Sequence, residues 1–176
     1  MPRRMPTPYE LFDDLCGQLD QRFTRFTGPN APWTNLLLEH FKAQAELYGL
    51  RGDDLILPGR NGAAKRGLRW VDGNAEVVAL AWHWQRNVAV WNLDVLKALL
   101  LRDARLKVFL TDTRADLADK RREQVVALLA SVGRTKHNGD VLVVILAPGG
   151  RATSDPMANA TMIVWGSSER GVSRAK

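Results

Sequence analysis

Apolar residues recur along this chain at two spacings, every third or fourth position in some stretches and every second, or continuously, in others. The change between the two marks out the elements. "TNLLLEHFKAQAELYG" (34–49) puts Leu37, Phe41, Ala45 and Tyr48 on one helical face, with Thr34 suited to its start and Gly49 to its stop. A further helix is expected upstream over "PYELFDDLCGQLDQRF" (8–23). A short strand, "LILPG" (55–59), and a basic loop, "NGAAKRG" (61–67), lead to "LRWVD" and "EVVALAWHW". These two flank Asp72-Gly73-Asn74, a strong turn signal, and predict an antiparallel hairpin.

Helical spacing returns in "NLDVLKALLLRD" (92–103) through Leu93, Leu96, Leu99 and Leu100, with Asn92 as cap. "LKVFLTD" (106–112) is a buried strand. "ADLADKRREQVVALLASVG" (115–133) is an amphipathic helix with Leu117, Val125, Leu128, Leu129 and Val132 inward and Lys120, Arg121 and Arg122 outward. "DVLVVILAP" and "TMIVW" are the last strands, joined by the polar loop "GGRATSDPMANA", and "GSSERGVSRAK" is read as a solvated tail.

A strand, a helix and a further strand in one sheet make a crossover, so "LKVFL" should run parallel to a hairpin strand. "VLVVILA" has no polar alternation, as expected of a sheet covered on both faces. The expectation is an α/β sandwich of three layers, a mixed sheet flanked by helices. Residues 33–166 would form its core, 1–32 a helical extension and 167–176 a flexible tail.

Composition narrows the class. A chain of 176 residues, 45% apolar and 25% charged, fits one folded domain with a sizeable core. The lone Cys16 excludes an internal disulfide and a Cys-x-x-Cys site, so a reducing cytoplasm is the default location. Arg3 and Arg4 are followed by prolines and acids rather than an apolar stretch, and no apolar run approaches a membrane span. Net charge +6 and a pI near 9.9 form a surface that attracts polyanions, so DNA or RNA is the expected partner.

The order helix, hairpin, "VWNLDVLKALLLRDARLKVFL" resembles the core of the PD-(D/E)xK nuclease superfamily, also called the restriction-endonuclease-like fold, over roughly residues 33 to 147. The resemblance implies an acid at the start or turn of the hairpin, and an acid, one intervening residue and a lysine on the next strand. A glutamate often comes from the preceding helix. Mg²⁺ needs hard oxygen ligands beside the phosphate, and residues two apart on a strand share a face, so acid and lysine would converge on one metal-bound water.

Carried over residue by residue, Asp72 matches the hairpin acid, Glu39 the helical glutamate, and Ala81-Trp82-His83 the strand motif. Alanine binds no metal, and His83 lacks a lysine's permanent charge. Shifting to Glu76-Val77-Val78 supplies a carboxylate but still no lysine. The strand therefore looks like an active site that has lost its parts. The implied function is a nuclease-like domain that binds nucleic acid or serves in an assembly, with no cofactor.

Two alternatives stay open. One is an active Mg²⁺- or Mn²⁺-dependent nuclease using Asp72, Glu76 or Glu39 as ligands, with His83 or Lys97 in the lysine role. The other is a protein-interaction module without nucleic acid. Asp72 also has a plain role in an Asp-Gly turn, Glu39 in a solvated helix face, and Trp82 and Trp84 in packing rather than base stacking. His40, His83 and His137 lack zinc-ligand spacing. "APGGRATSD" lacks a phosphate loop's Gly-Lys-Ser/Thr ending, and "GSSERG" has no nucleophile elbow. The phosphate contacts expected of a binder are Arg60, Lys65, Arg66 and Arg69, together with Lys120, Arg121 and Arg122.

Overall fold

The hairpin is the local seed of the sheet. Asp72 and Ala75 pair across the two-residue turn Gly73-Asn74, in which Gly73 takes a positive φ of 60° that a side chain would resist. The computed structural model describes residues 4–23, 33–58, 64–85, 88–132, 139–147, 160–166 and 170–174. In these, β1 (Arg51–Pro58), β2 (Ala64–Asp72) and β3 (Ala75–His83) form an antiparallel meander. Helix α3 (Asp94–Leu100) carries the chain to β4 (Leu106–Asp112), and a 3₁₀ turn (Ala115–Leu117) with α4 (Ala118–Val132) carries it to β5 (Asp140–Leu146). Strands β3, β4 and β5 are parallel, and β6 (Thr161–Trp165) and β7 (Arg170–Arg174) return antiparallel, giving a seven-stranded mixed sheet in chain order.

Both crossovers step in the same direction, so with a common hand they lie on the same face. Val95, Leu96 and Leu99 of α3 and Val125 and Leu129 of α4 accordingly share one apolar layer with Ala79, Ala81, Phe109, Val143 and Ile163. Helices α1 (Pro8–Phe23) and α2 (Trp33–Leu47) cover the opposite face, where Leu11, Phe12, Leu15, Leu37 and Phe41 meet Trp70, Leu80, Trp82, Leu110 and Val144. The alternation of strand side chains sends successive residues of β3 to β6 into two dry layers. This is why "VLVVIL" carries no polar position. Among the described residues, no helix is long and apolar enough to cross a membrane.

The structure revises several boundaries. Helix α1 packs onto the sheet: its buried residues belong to the same core, and its start is fixed by Thr7 and Glu10, each of which accepts a bond from the other's backbone N–H. The residues expected as a solvated tail supply β7, which satisfies the outer edge of β6. Strand β2 begins inside the segment expected as the basic loop, because Ala64 to Gly67 pair with Pro58 to Leu55 of a β1 longer than its apolar half. Thr34 lies inside the first turn of α2 instead of flanking it. Asn92 does act at the start of α3, where its Oδ1 accepts the Asp94 N–H at 2.7 Å, although Leu93 is the flanking residue.

Gly139, φ 84°, opens β5 where its neighbour Asp140 N–H bonds the Arg105 carbonyl at 2.8 Å, and a Cβ there would overlap that same carbonyl oxygen. Gly73 has the same hand of φ but open space around it. Gly73→Ala should therefore lower stability by about 1–2 kcal/mol, the cost of a left-handed alanine. Gly139→Ala should cost more, because backbone overlap adds to that strain. Urea denaturation of the two variants checks the order; equal midpoints would contradict it.

Candidate functional site

The two ends of β3 are different chemical environments, and the residues expected to form one site are divided between them. Asp72 is exposed at the hairpin turn, whereas His83 closes β3 at the other end, opposite Thr111 of β4. Ala75, the partner of Asp72, and His83 stand at opposite ends of the nine-residue β3, about 26 Å apart at the usual rise. The remaining carboxylates do not join Asp72. A one-residue slip between Trp70 and Val71 leaves Val77 and Val78 both in the layer under α1 and α2. Glu76 instead serves Arg102, just past α3, through a two-pronged ion pair whose Nε bond is 2.9 Å. Glu39 is exposed on α2, across the sheet from that pair.

Asp72, Glu76 and Glu39 thus do not fit a shared Mg²⁺ or Mn²⁺ site, and among the described residues no group of three or more His, Cys, Asp or Glu side chains could hold a metal ion. Lys97 is exposed on α3 and lies 3.5 Å from Asp94 of the same helix.

The strand motif is filled by packing. Ala81 is wholly buried against the α3 and α4 layer, and Trp82 is buried in the opposite one. Trp84 packs half-buried against that second layer and its Nε1 donates to Thr34 Oγ1 at 3.3 Å, tying the strand end to α2. Neither tryptophan is an open stacking platform. His83 is half-buried, and its carbonyl accepts the Thr111 hydroxyl at 2.8 Å.

The basic positions divide differently. Because β2 runs antiparallel to β3 with Gly67 opposite Ala81, the positions of Lys65 and Arg66 lie at the His83 end of the sheet. The first turn of α4, which follows the end of β4, lies at that end too. Lys120 is exposed there and Arg122 half-buried, among Asp116, Asp119 and Glu123, with Arg114 already paired to Asp116 at 2.7 Å. Arg60 lies outside the described residues. Arg69 sits near mid-strand and shares Asp53 with Arg51, whose guanidinium holds the Asp53 carboxyl below its ordinary value.

Arg121 corrects the sequence reading outright. It was expected to face solvent, but it is buried beside Val125 and Leu129. Its guanidinium lies over the Trp91 ring at 5.1 Å, its Nη1 donates to Gln124 at 3.0 Å, and its Nη2 reaches the carbonyls of Val88 and Ala89 at 3.4 and 3.5 Å. Spacing of four residues, 121, 125 and 129, was the available signal. The arginine extends the apolar stripe and delivers its charge to loop carbonyls and an aromatic face.

Sequence reasoning also missed Lys107, fully buried on β4 between Ala79 and Val141. Its Nζ donates to the Ala104 carbonyl at 3.0 Å. Burial pulls its pKa below the ordinary lysine value, partly countered by the charges of Asp103, Glu76 and Asp140. The lysine inside "LKVFL" was its signal.

Compared with known proteins, the chain matches no family model, no curated protein and no solved structure. Its chemistry rests on its own geometry.

The buried lysine carries a pH signature. The folded state gives up the proton at lower pH than the unfolded chain, which keeps it up to about the ordinary value of 10.5. Between the lowered pKa and that value the unfolded state binds more protons, so Lys107 makes stability rise with pH across the window. Lys107→Met keeps the volume and removes the titration. The stability of the wild type relative to this variant should therefore increase as pH rises towards 10.5; urea midpoints that run parallel over that range would refute it.

Proposed function

We propose that this protein is a nucleic-acid-binding domain of restriction-endonuclease-like type whose nuclease site is catalytically inert. The observation that carries the reading is the placement of the start of β2, with Lys65 and Arg66, and of exposed Lys120 at the same end of the sheet as the strand motif. The succession α2, β1, β2, β3, α3, β4, with a meander followed by a parallel crossover, is the order the resemblance implies and supports the fold part of the reading. Net charge +6 supports the polyanion.

Inertness follows from the site itself. Catalysis of phosphodiester hydrolysis in such a domain needs carboxylates and a lysine on one metal-bound water. Here Ala81 stands where a ligand is needed, Asp72 is at the far end of the strand, and Glu76 is held by Arg102. On this reading the sheet end keeps charge for holding phosphates, and among the described residues no group of three or more His, Cys, Asp or Glu side chains could hold a metal ion to activate water.

Purified protein should therefore leave DNA and RNA intact with Mg²⁺ or Mn²⁺ on gels that resolve single cuts. Robust cleavage that copurifies with the chain and is lost in Asp72→Ala would overturn the inert site.

Binding itself should weaken with salt, because each phosphate neutralised on a duplex releases condensed counterions and contributes a slope of about 0.9 in log affinity against log salt. The double variant Lys65→Ala with Arg66→Ala should flatten that slope by up to about two units, and Lys120→Ala by about one. His83→Ala should leave it nearly unchanged, since half-buried His83 closes the strand opposite Thr111 and is not one of the exposed cations. Filter binding across a salt series measures all three. No binding at low salt, or binding without salt dependence, would favour a protein-interaction module instead.

A further inference from the structure

The sheet ends at β1, and among the described residues no strand pairs with the outer edge of that strand. An open edge offers a row of N–H and C=O groups to any other strand, and folded proteins blunt it with short strands, lysines, bulges or proline. β1 has little of this protection. It pairs with β2 over eight residues without a break in register, and its proline, Pro58, is the last of them. Its carboxylates are already matched within the fold, Asp53 by Arg51 and Arg69 and Asp54 by Lys42 at 3.1 Å. Leu55 and Leu57 are buried in the layer of α3 and α4. The alternate positions face α2, where Gly52 lies against Lys42 and Ala45, and on that side Ile56 is 68% exposed.

We infer that β1 is a dimer interface: two copies of the chain join edge to edge about a twofold axis, with Ile56 of one opposite Ile56 of the other. Identical edges related by a twofold normal to the sheet run antiparallel, and residues directly opposite in such a pair point to the same side. Even positions of β1 therefore meet even and odd meet odd, so the axis passes through a residue and not between two. A register that pairs at least five residues of this strand is then centred on Asp53, Asp54, Leu55 or Ile56. The first two set identical carboxylates directly opposite each other, which repels. Centring on Leu55 sets each Ile56 against the Lys42-paired Asp54 of the other copy. Centring on Ile56 joins isoleucine to isoleucine and Leu55 to Leu57, and covers the exposed side chain with an apolar one. The twofold also closes the assembly, whereas β1 added to β7 of a neighbour would extend without end.

Sedimentation equilibrium of the full chain tests the interface. A strand-to-strand contact is smaller than the roughly 800 Å² per partner of a standard interface. The average mass should therefore rise reversibly from 19.7 kDa towards twice that value as the concentration increases to about 100 µM. Ile56→Lys and Ile56→Asp should each stay monomeric, because like charges then meet at the axis, and an equimolar mixture of the two should recover the dimer. Position 56 is exposed enough to bear either charge at little cost to the fold. If a variant nevertheless fails to fold, hydrogen exchange of the wild type decides alone: the outward amides among residues 54–57 should exchange several-fold more slowly at the high concentration than at the low one. A monomer at every concentration, growth beyond two chains, a dimer that survives in both charged variants, or a mixture that stays monomeric would overturn the inference. So would a dimer strengthened in Ile56→Lys alone, the mark of lysine meeting Asp54, or dimerisation without slowed exchange in β1.

Discussion

Burial of the parallel trio β3, β4 and β5 on both faces is the constraint on which the other features depend. A strand with one face in water can carry polar residues at every second position; these three cannot, because α1 and α2 cover one side and α3 and α4 the other. Backbone pairing within the sheet satisfies the peptide groups, so the side chains are left to fill two dry layers. The consequence reaches the strand positions where a nuclease of the resembled type would hold its chemistry. Ala81 and Trp82 are spent on packing, each in its own layer, and a carboxylate at Ala81 would be a charge placed in a dry apolar layer.

Polar chemistry is therefore pushed to the two ends of the sheet, and the ends differ in kind. At the hairpin end, charges are neutralised within the fold: Glu76 by Arg102, and Lys107 held at the Ala104 carbonyl with Asp103, Glu76 and Asp140 contributing to its field. Such groups stabilise or strain the protein, and have little left for a ligand. At the other end, the strand termini meet the start of α4 and the start of β2, with exposed Lys120 and the apolar tip at Val88 and Val90. The separation is set by the length of β3.

Arg121 shows how a charge can serve a surface without lying on it. Buried arginine is tolerated where its donors meet carbonyls and its face meets an aromatic ring, and both conditions hold over Trp91. Its role is to hold the loop between β3 and α3, not to reach for a phosphate. Three adjacent cations in the sequence, Lys120, Arg121 and Arg122, thus have three environments, exposed, buried and half-buried, fixed by the 100° turn between successive helical residues.

Local sequence determined the elements and their kind. The period of apolar residues fixed the helices at 34–49 and 115–133 to within a turn, Gly73-Asn74 fixed the hairpin, and the unbroken apolar run at 141–147 fixed a strand covered on both faces. These are decided by near neighbours, whose spacing the chain carries along its length. Long-range pairing decided the rest. Whether Asp72 and His83 share a site depends on which end of β3 each occupies once β2 and β4 are in register, and whether residues 170–174 form a tail or a strand depends on an open edge of β6. Whether Arg121 faces water depends on the presence of Trp91 and the loop carbonyls, thirty residues earlier in the chain, against its helix. Sequence specifies side-chain spacing within an element, but only the packed sheet specifies what each side chain meets.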